Sequence, residues 1–197
     1  MKLTLQQMNH QLNANKLDDE KARTSITTLL TQVDILNDIA SSFSAFARMP
    51  APILERVDLV SLITKSVNLY SDYQGGEVKF TSALRFAFVM GDGQLLYRIF
   101  SNIILNGLQS GGNKVLVEVS LDQIENHFVV SIRDNGKGIE PDMIDKVFVP
   151  YFSTKHSGSG LGLAISKQGI EQSAGEIWFE TAVGSGTTFF IKLPRME

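Results

Sequence analysis

The chain has 197 residues, 43% hydrophobic and 20% charged, enough for one domain with a full core plus an appendage. A formal net charge of −3 gives no electrostatic reason to bind nucleic acid, and the absence of cysteine excludes disulfides and thiolate metal sites. No apolar run approaches the ~20 residues of a membrane span, and the polar stretch from Met1 to Gln11 is no secretory signal, so no membrane contact by this chain is expected.

The first 49 residues contain neither glycine nor proline. Apolar or small residues stand at Ala22, Ile26, Leu29, Val33, Leu36, Ala40, Phe43 and Ala47, with spacings that alternate four and three. That is a heptad seam. Met1, Leu5, Met8 and Leu12 repeat the spacing, and the polar run Asn13 to Lys21 between them suits a turn. The pattern predicts a helical hairpin over 1–49 whose first arm is shorter than its second. A lone hairpin buries one stripe poorly, so two are expected to pair as a four-helix bundle in a homodimer. Packing against the chain's own globular domain is the alternative. Arg48-Met49-Pro50-Ala51-Pro52 breaks the helix, which makes 50–57 a hinge and 58–197 a second domain.

That second domain alternates element types. Ile53 to Val57 reads as a short strand, and Asp58 as the N-cap of a helix reaching about Tyr70. Val78 to Leu84 and Phe86 to Met90 read as strands. Gly91-Asp92-Gly93 opens a strong helix from Gln94 to about Gln109. Lys114 to Leu121 and His127 to Arg133 pair as a hairpin around residues 122–126. Pro141 suits the first turn of a short helix to Val147, residues 148–160 read as a loop, and Leu161 to about Ser173 as a helix. Ile177 to Thr181 and Thr187 to Leu193 form a last hairpin. The expected fold is α+β: a two-layer α/β sandwich, one mixed and mostly antiparallel sheet with helices on one face.

Three stretches carry candidate chemistry. In Arg133-Asp134-Asn135-Gly136-Lys137-Gly138-Ile139, a carboxylate ends a strand where it can accept a hydrogen bond from an exocyclic amine, and the glycines admit a ligand close to the backbone. An ordinary Asp-Asn-Gly turn has the same sequence. Asn102 and Asn106, spaced i and i+4, share one face of a largely apolar helix. Their carbonyls can meet a hard cation, or simply bond a neighbouring element. Gly158-Ser159-Gly160-Leu161-Gly162-Leu163 lies at a loop-to-helix junction, where backbone amides and the helix dipole favour an anion. It matches neither the dinucleotide fingerprint nor the P-loop, and a flexible linker is the bland alternative.

The order of these pieces is distinctive. Asn-x-x-x-Asn is followed by Asp-x-Gly-x-Gly, then by Phe148-Val149-Pro150-Tyr151-Phe152-Ser153-Thr154-Lys155, Gly-x-Gly-Leu-Gly-Leu and Gly-x-Gly-Thr. Across residues 92 to 193 this resembles the ATP-binding catalytic domain of bacterial two-component sensor histidine kinases, in the fold group of gyrase, the ninety-kilodalton heat-shock chaperone and MutL. The resemblance implies ATP and Mg²⁺ as cofactors and a protein-histidine kinase. It makes Asp134 the acceptor of the adenine amino group, with Gly136, Gly138 and Ile139 shaping the base pocket and Thr187 near the base. Asn106 resembles the Mg²⁺ ligand and Asn102 a supporting polar residue facing the phosphates. Phe148 and Phe152 resemble the anchors of a mobile lid, residues 149–159. Thr154 and Lys155 belong to that lid, and Lys155 reaches for the terminal phosphate. Gly158, Gly160, Leu161 and Gly162 resemble the phosphate cradle. Gly107 departs from the family, which usually has alanine there, and is expected to loosen the helix slightly.

Phe43-Ser44-Ala45-Phe46-Ala47-Arg48-Met49-Pro50 resembles the end of the second dimerisation helix of nitrogen-regulation-type sensor kinases. The phosphoacceptor motif His-Glu-x-x-Asn-Pro-Leu-Thr of that group is absent, since His10 is followed by Gln-Leu-Asn-Ala. By family spacing the motif ends at or just before Met1. The chain therefore reads as a fragment that binds Mg·ATP and does not phosphorylate itself. The parent would pass the γ-phosphoryl group to its histidine and on to the receiver domain of a response regulator. Its expected location is cytoplasmic, with an inner-membrane anchor for the parent outside this chain. An ATP-gated conformational or dimerisation module without kinase activity is the alternative; the gyrase and chaperone members carry a glutamate where Asn102 stands.

Overall fold

The computed structural model describes residues 22–31, 33, 52–111, 114–155 and 159–196. Two compact units divide them, one drawn from residues 1–49 and 154–159, the other from 50–153 and 160–197. In the first unit residues 22–31 are helical, and the Thr27, Thr28 and Thr31 hydroxyls each donate to the carbonyl four residues back at 2.9 Å. The seam positions Ile26 and Val33 are 48% and 41% exposed. The turn and first arm of the expected hairpin, with His10, and the Phe43–Pro50 segment lie outside the described residues.

The second unit runs β1 (Glu55–Asp58), α1 (Leu59–Asn68), β2 (Gly76–Ser82), β3 (Phe88–Gly91), α2 (Gly93–Leu108), β4 (Val115–Ile124) and β5 (His127–Asp134). A 3₁₀ helix (Pro141–Lys146), α3 (Gly162–Gln172), β6 (Glu176–Ala182) and β7 (Gly186–Pro194) complete it. Among the described residues, five strands form a sheet in the order β2-β4-β5-β7-β6, in which only β2 and β4 are parallel.

Period-two burial decides which face of this sheet is covered. Val115, Val117, Val119 and Leu121 of β4 are buried, as are Phe128, Val130 and Ile132 of β5 and Phe189, Ile191 and Leu193 of β7. Cross-strand register puts all of them on one face. Against that face α2 buries Leu96, Ile99, Phe100, Ile103, Ile104 and Leu108, the three-and-four spacing of a helix stripe. Each such side chain contributes roughly 1.5–3 kcal/mol by leaving water. Asp134 and Thr187 lie on this same inner face, at the sheet's end.

One expectation is corrected. The strands do not make a single sheet, because β1 and β3 form a separate antiparallel pair. Asp58 explains this. Its Oδ1 caps α1 by accepting from the Val60 amide at 3.2 Å and also accepts from the Ala87 amide at 2.9 Å. The Leu59 amide donates to the Ala87 carbonyl at 2.8 Å. The approach to β3 is thereby docked beside β1 and away from β2. The 122–126 turn is also shorter than expected: β4 and β5 leave only Glu125 and Asn126, with Glu125 at φ +53°.

Asp92 starts α2 and ties it to Ile53, just before β1. Its Oδ1 accepts from the Gln94 and Leu95 amides at 3.0 Å each, and its Oδ2 from the Ile53 amide at 3.2 Å. These amides, Leu95's foremost, keep the carboxyl below the usual aspartate range. The stabilisation is present above the ordinary aspartate pKa of about 3.9 and is lost as pH falls through the lower folded value. Asp92→Ala is expected to cost about 1–2 kcal/mol at neutral pH, the loss of an N-cap. Thermal melts of both proteins should converge in strong acid; a constant gap across pH would contradict the assignment.

Candidate functional site

The site begins where β5 stops. Asp134, 5% exposed, lies opposite Val117 of β4. Its Oδ1 accepts from the Gly136 amide at 2.8 Å, so the carboxylate folds back over its own turn. Burial pushes this carboxyl above the usual aspartate range, opposed by the amides of Gly136 and Thr187 and by the nearby Ser110 hydroxyl. Asn135 fixes the strand exit: its Oδ1 accepts from the Leu116 amide at 2.8 Å, taking the place of a ladder bond. The Asp-Asn-Gly turn reading was thus right about Asn135 and incomplete about Asp134, whose second oxygen is not used by the turn bond.

The glycine turn is bolted to the β6–β7 hairpin. The Ile139 amide donates to Thr181 Oγ1 at 3.0 Å, and the Gly184 amide to the Lys137 carbonyl at 2.8 Å. Thr181 and Thr187, facing each other across the hairpin, share a hydroxyl contact of 3.0 Å. Gly138 sits at φ +73°, and a Cβ there would overlap the Ala182 carbonyl oxygen. Gly136 is glycine for a different reason, since a Cβ would occupy the place of the Ser110 side chain. Asp134, Gly136, Gly138, Ile139 and Thr187 therefore lie together at the end of β5.

The helix side of the site is α2. A Cβ at Gly107 would meet Val117 Cγ2 at 3.0 Å and Asp134 Cβ at 3.4 Å. The glycine thus lets the helix lie close to the strand ends. Asn106 is half-buried one turn beyond Asn102. Asn102 does not stand alone: its Nδ2 donates to Ser166 Oγ at 3.3 Å, and its Oδ1 lies against Gly162, where any Cβ would overlap it. It brackets α2 to the first turn of α3. Leu161, buried at the N-cap of α3, supplies no side-chain cap. An uncapped N-terminus leaves backbone amides suited to an anion.

Phe148 packs against Phe179 and Phe189, with ring centroids 5.8 and 6.3 Å away, and the Lys167 ammonium stands 5.5 Å over its ring. Gly160, at φ +68°, abuts the backbone of Tyr151 and half-buried Phe152, which closes the base of the intervening loop. Thr154 and Lys155 belong to the other unit, and Gly158 lies outside the described residues. Among the described residues no group of three His, Cys, Asp or Glu side chains is placed to hold a metal. Sequence reasoning missed Ser110, Thr181 and Ser166, whose partners are distant in the chain.

Residues 91–197 match the family described as histidine kinase-, DNA gyrase B-, and HSP90-like ATPase. The chain belongs to this family. Sensor histidine kinase ZraS of Salmonella typhimurium is 33% identical over 167 residues, covering 83% of this chain and 36% of its own length. The chain thus spans about a third of that curated relative. Among solved structures, the mycobacterial sensor histidine kinase MprB is 31% identical with a TM-score of 0.65, covering 73% of this chain and 98% of its own. Full-length ShkA in complex with AMPPNP is 25% identical with a TM-score of 0.72, covering 91% of this chain and 40% of its own. The domain described above is the ATP-binding catalytic domain of the two-component histidine kinases. No described helix is long and apolar enough to cross a membrane.

Proposed function

We propose that this chain binds Mg·ATP through the residues assembled at the end of β5 and serves as the kinase half of a sensor histidine kinase. The observation that carries the reading is Asp134: a buried carboxylate at a strand end, braced by a glycine turn and a hairpin, beside the helix bearing both asparagines. In this reading Asp134 accepts the adenine amino group, while Gly136, Gly138, Ile139 and Thr187 shape the base pocket. Gly160, Leu161 and Gly162 offer amides to the phosphates, with Gly158, Thr154 and Lys155 of the lid. The residues present suit Mg²⁺, because Asn106 offers a side-chain carbonyl and the cation takes its remaining oxygens from phosphate and water. The ion would neutralise phosphate charge during transfer. AMPPNP in the similar ShkA supports the nucleotide.

Asn102, spent on Ser166 and Gly162, is no general base, which favours transfer to an external acceptor over hydrolysis. That acceptor is a histidine of the dimerisation hairpin in the parent, of nitrogen-regulation type, followed by a response-regulator receiver domain. The division into a partial hairpin over 1–49, a hinge over 50–57 and a catalytic domain over 58–197 belongs to this proposal. So do a homodimer through the hairpin, for which the exposed seam residues Ile26 and Val33 speak, and a cytoplasmic site of action. Calorimetric titration with a non-hydrolysable ATP analogue, with and without Mg²⁺, tests the nucleotide reading. Mg²⁺-dependent binding is expected, and none at all would overturn it. With radiolabelled ATP this chain should acquire no acid-labile phosphate, since the acceptor motif is missing.

A further inference from the structure

Ser110 stands two residues past α2 and outside every motif named above. Its Oγ is shielded from solvent and has no hydrogen-bond partner among the described residues, yet it and Asp134 Oδ1 both border the point where a Cβ on Gly136 would stand. The contact is built from both sides. Ser110 fills the space that a Cβ on Gly136 would take, and its carbonyl accepts from the Lys137 amide at 3.4 Å. Serine backbone and side chain together clamp the glycine turn to the end of the helix.

A carboxylate turns easily about its last bond, because such terminal torsions have broad wells. Asp134 Oδ1 is held by the Gly136 amide. The Gly136 and Thr187 amides are both backbone donors, and the tilt of the group is left to whatever side chain packs on it, since a buried carboxylate is costly unless donors meet it. The Ser110 hydroxyl is a side-chain donor enclosed beside it: a Cβ on Gly136 would meet both Ser110 Oγ and Asp134 Oδ1. Being enclosed, it does not itself reach a ligand.

We infer that Ser110 is a positioning residue for base recognition: its hydroxyl, packed against Gly136, orients the Asp134 carboxylate so that one oxygen faces the exocyclic amino group of the purine. The inference rests on the nucleotide reading above and goes beyond it by naming the residue that sets the acceptor's direction. It predicts an effect that depends on the ligand's 6-amino group, which a mere packing role would not.

The test is a cycle of protein and ligand. Mg·ATP and Mg·purine riboside triphosphate, which lacks the 6-amino group, are titrated into the wild-type chain and into Ser110→Ala. Wild type should prefer ATP. The variant should lose about 3- to 10-fold in affinity for ATP, the worth of one hydrogen bond, and stay within about twofold for the analogue. Equal loss on both ligands, or no loss on either, would overturn the inference. Wild type that binds both equally would sink the assignment of Asp134 to the base and this inference with it, whereas wild type that binds neither would remove the nucleotide reading itself. Should Ser110→Ala melt far below the wild type, Ser110→Cys keeps the volume with a weaker donor. It should show the same selective loss in smaller measure, and an unselective loss would count against the proposal.

Discussion

Asp134→Asn is expected to lower the affinity for Mg·ATP by roughly 10- to 100-fold, the effect of losing a hydrogen bond to a charged group, without unfolding the domain. The direction follows from the turn. The Gly136 amide donates to Oδ1 at 2.8 Å, so an asparagine must keep its carbonyl oxygen there. Its Nδ2 then takes the other position and meets the base's amino group donor to donor. Stability should move the opposite way. Burial raises the carboxyl above its usual range, so charging it opposes folding. That penalty is absent well below the ordinary aspartate pKa of about 3.9 and complete above the folded value. The neutral amide escapes it. Titration calorimetry with melts at pH 4 and pH 8 checks both halves. The variant's melting temperature relative to wild type should rise with pH, and unchanged affinity would remove Asp134 from the site.

The second large effect separates two glycines of one turn. Gly184 and Gly186 both have left-handed backbones, at φ +78° and +94°. A Cβ on Gly184 points into open space, whereas one on Gly186 would overlap the carbonyl oxygen of Asp134 and sit 3.1 Å from Asn135 Cα. Gly184→Ala should therefore cost only the conformational strain, about 1 kcal/mol, with nucleotide binding intact. Gly186→Ala must also push β7 away from the end of β5, at a cost of about 3 kcal/mol or more, and should abolish measurable binding. Chemical denaturation and the same titration read both. Equal costs for the two variants would mean that close packing between β7 and Asp134 is not what holds the pocket.

The secondary structure was legible because its signals were local. Asp58 announced one helix by the capping chemistry the structure displays, and Gly91-Asp92-Gly93 with the apolar run behind it announced α2. The separate β1–β3 pair was not legible, since it depends on Asp58 reaching Ala87, 29 residues away. At the site the same division holds. Asp134, Gly136 and Gly138 could be picked from one short stretch. Thr181 and Ser166 could not, because only folding brings Thr181 to Ile139, 42 residues distant, and Ser166 to Asn102, 64 residues distant. The close approach at Gly107 was not legible either, because helix propensity carries no information about Val117 on the neighbouring strand.

The strand order has a consequence for synthesis. β7 comes last among the described strands yet lies between β5 and β6. Until it emerges, β6 has no place in the sheet, β5 presents an open edge, and Asp134 lacks the Thr187 amide. A nascent chain that ends before Gly186 therefore lacks part of the surroundings of Asp134, however complete its helices are. Completion of the surroundings of Asp134 waits for β7, and until then the bare β5 edge is what chaperones must cover.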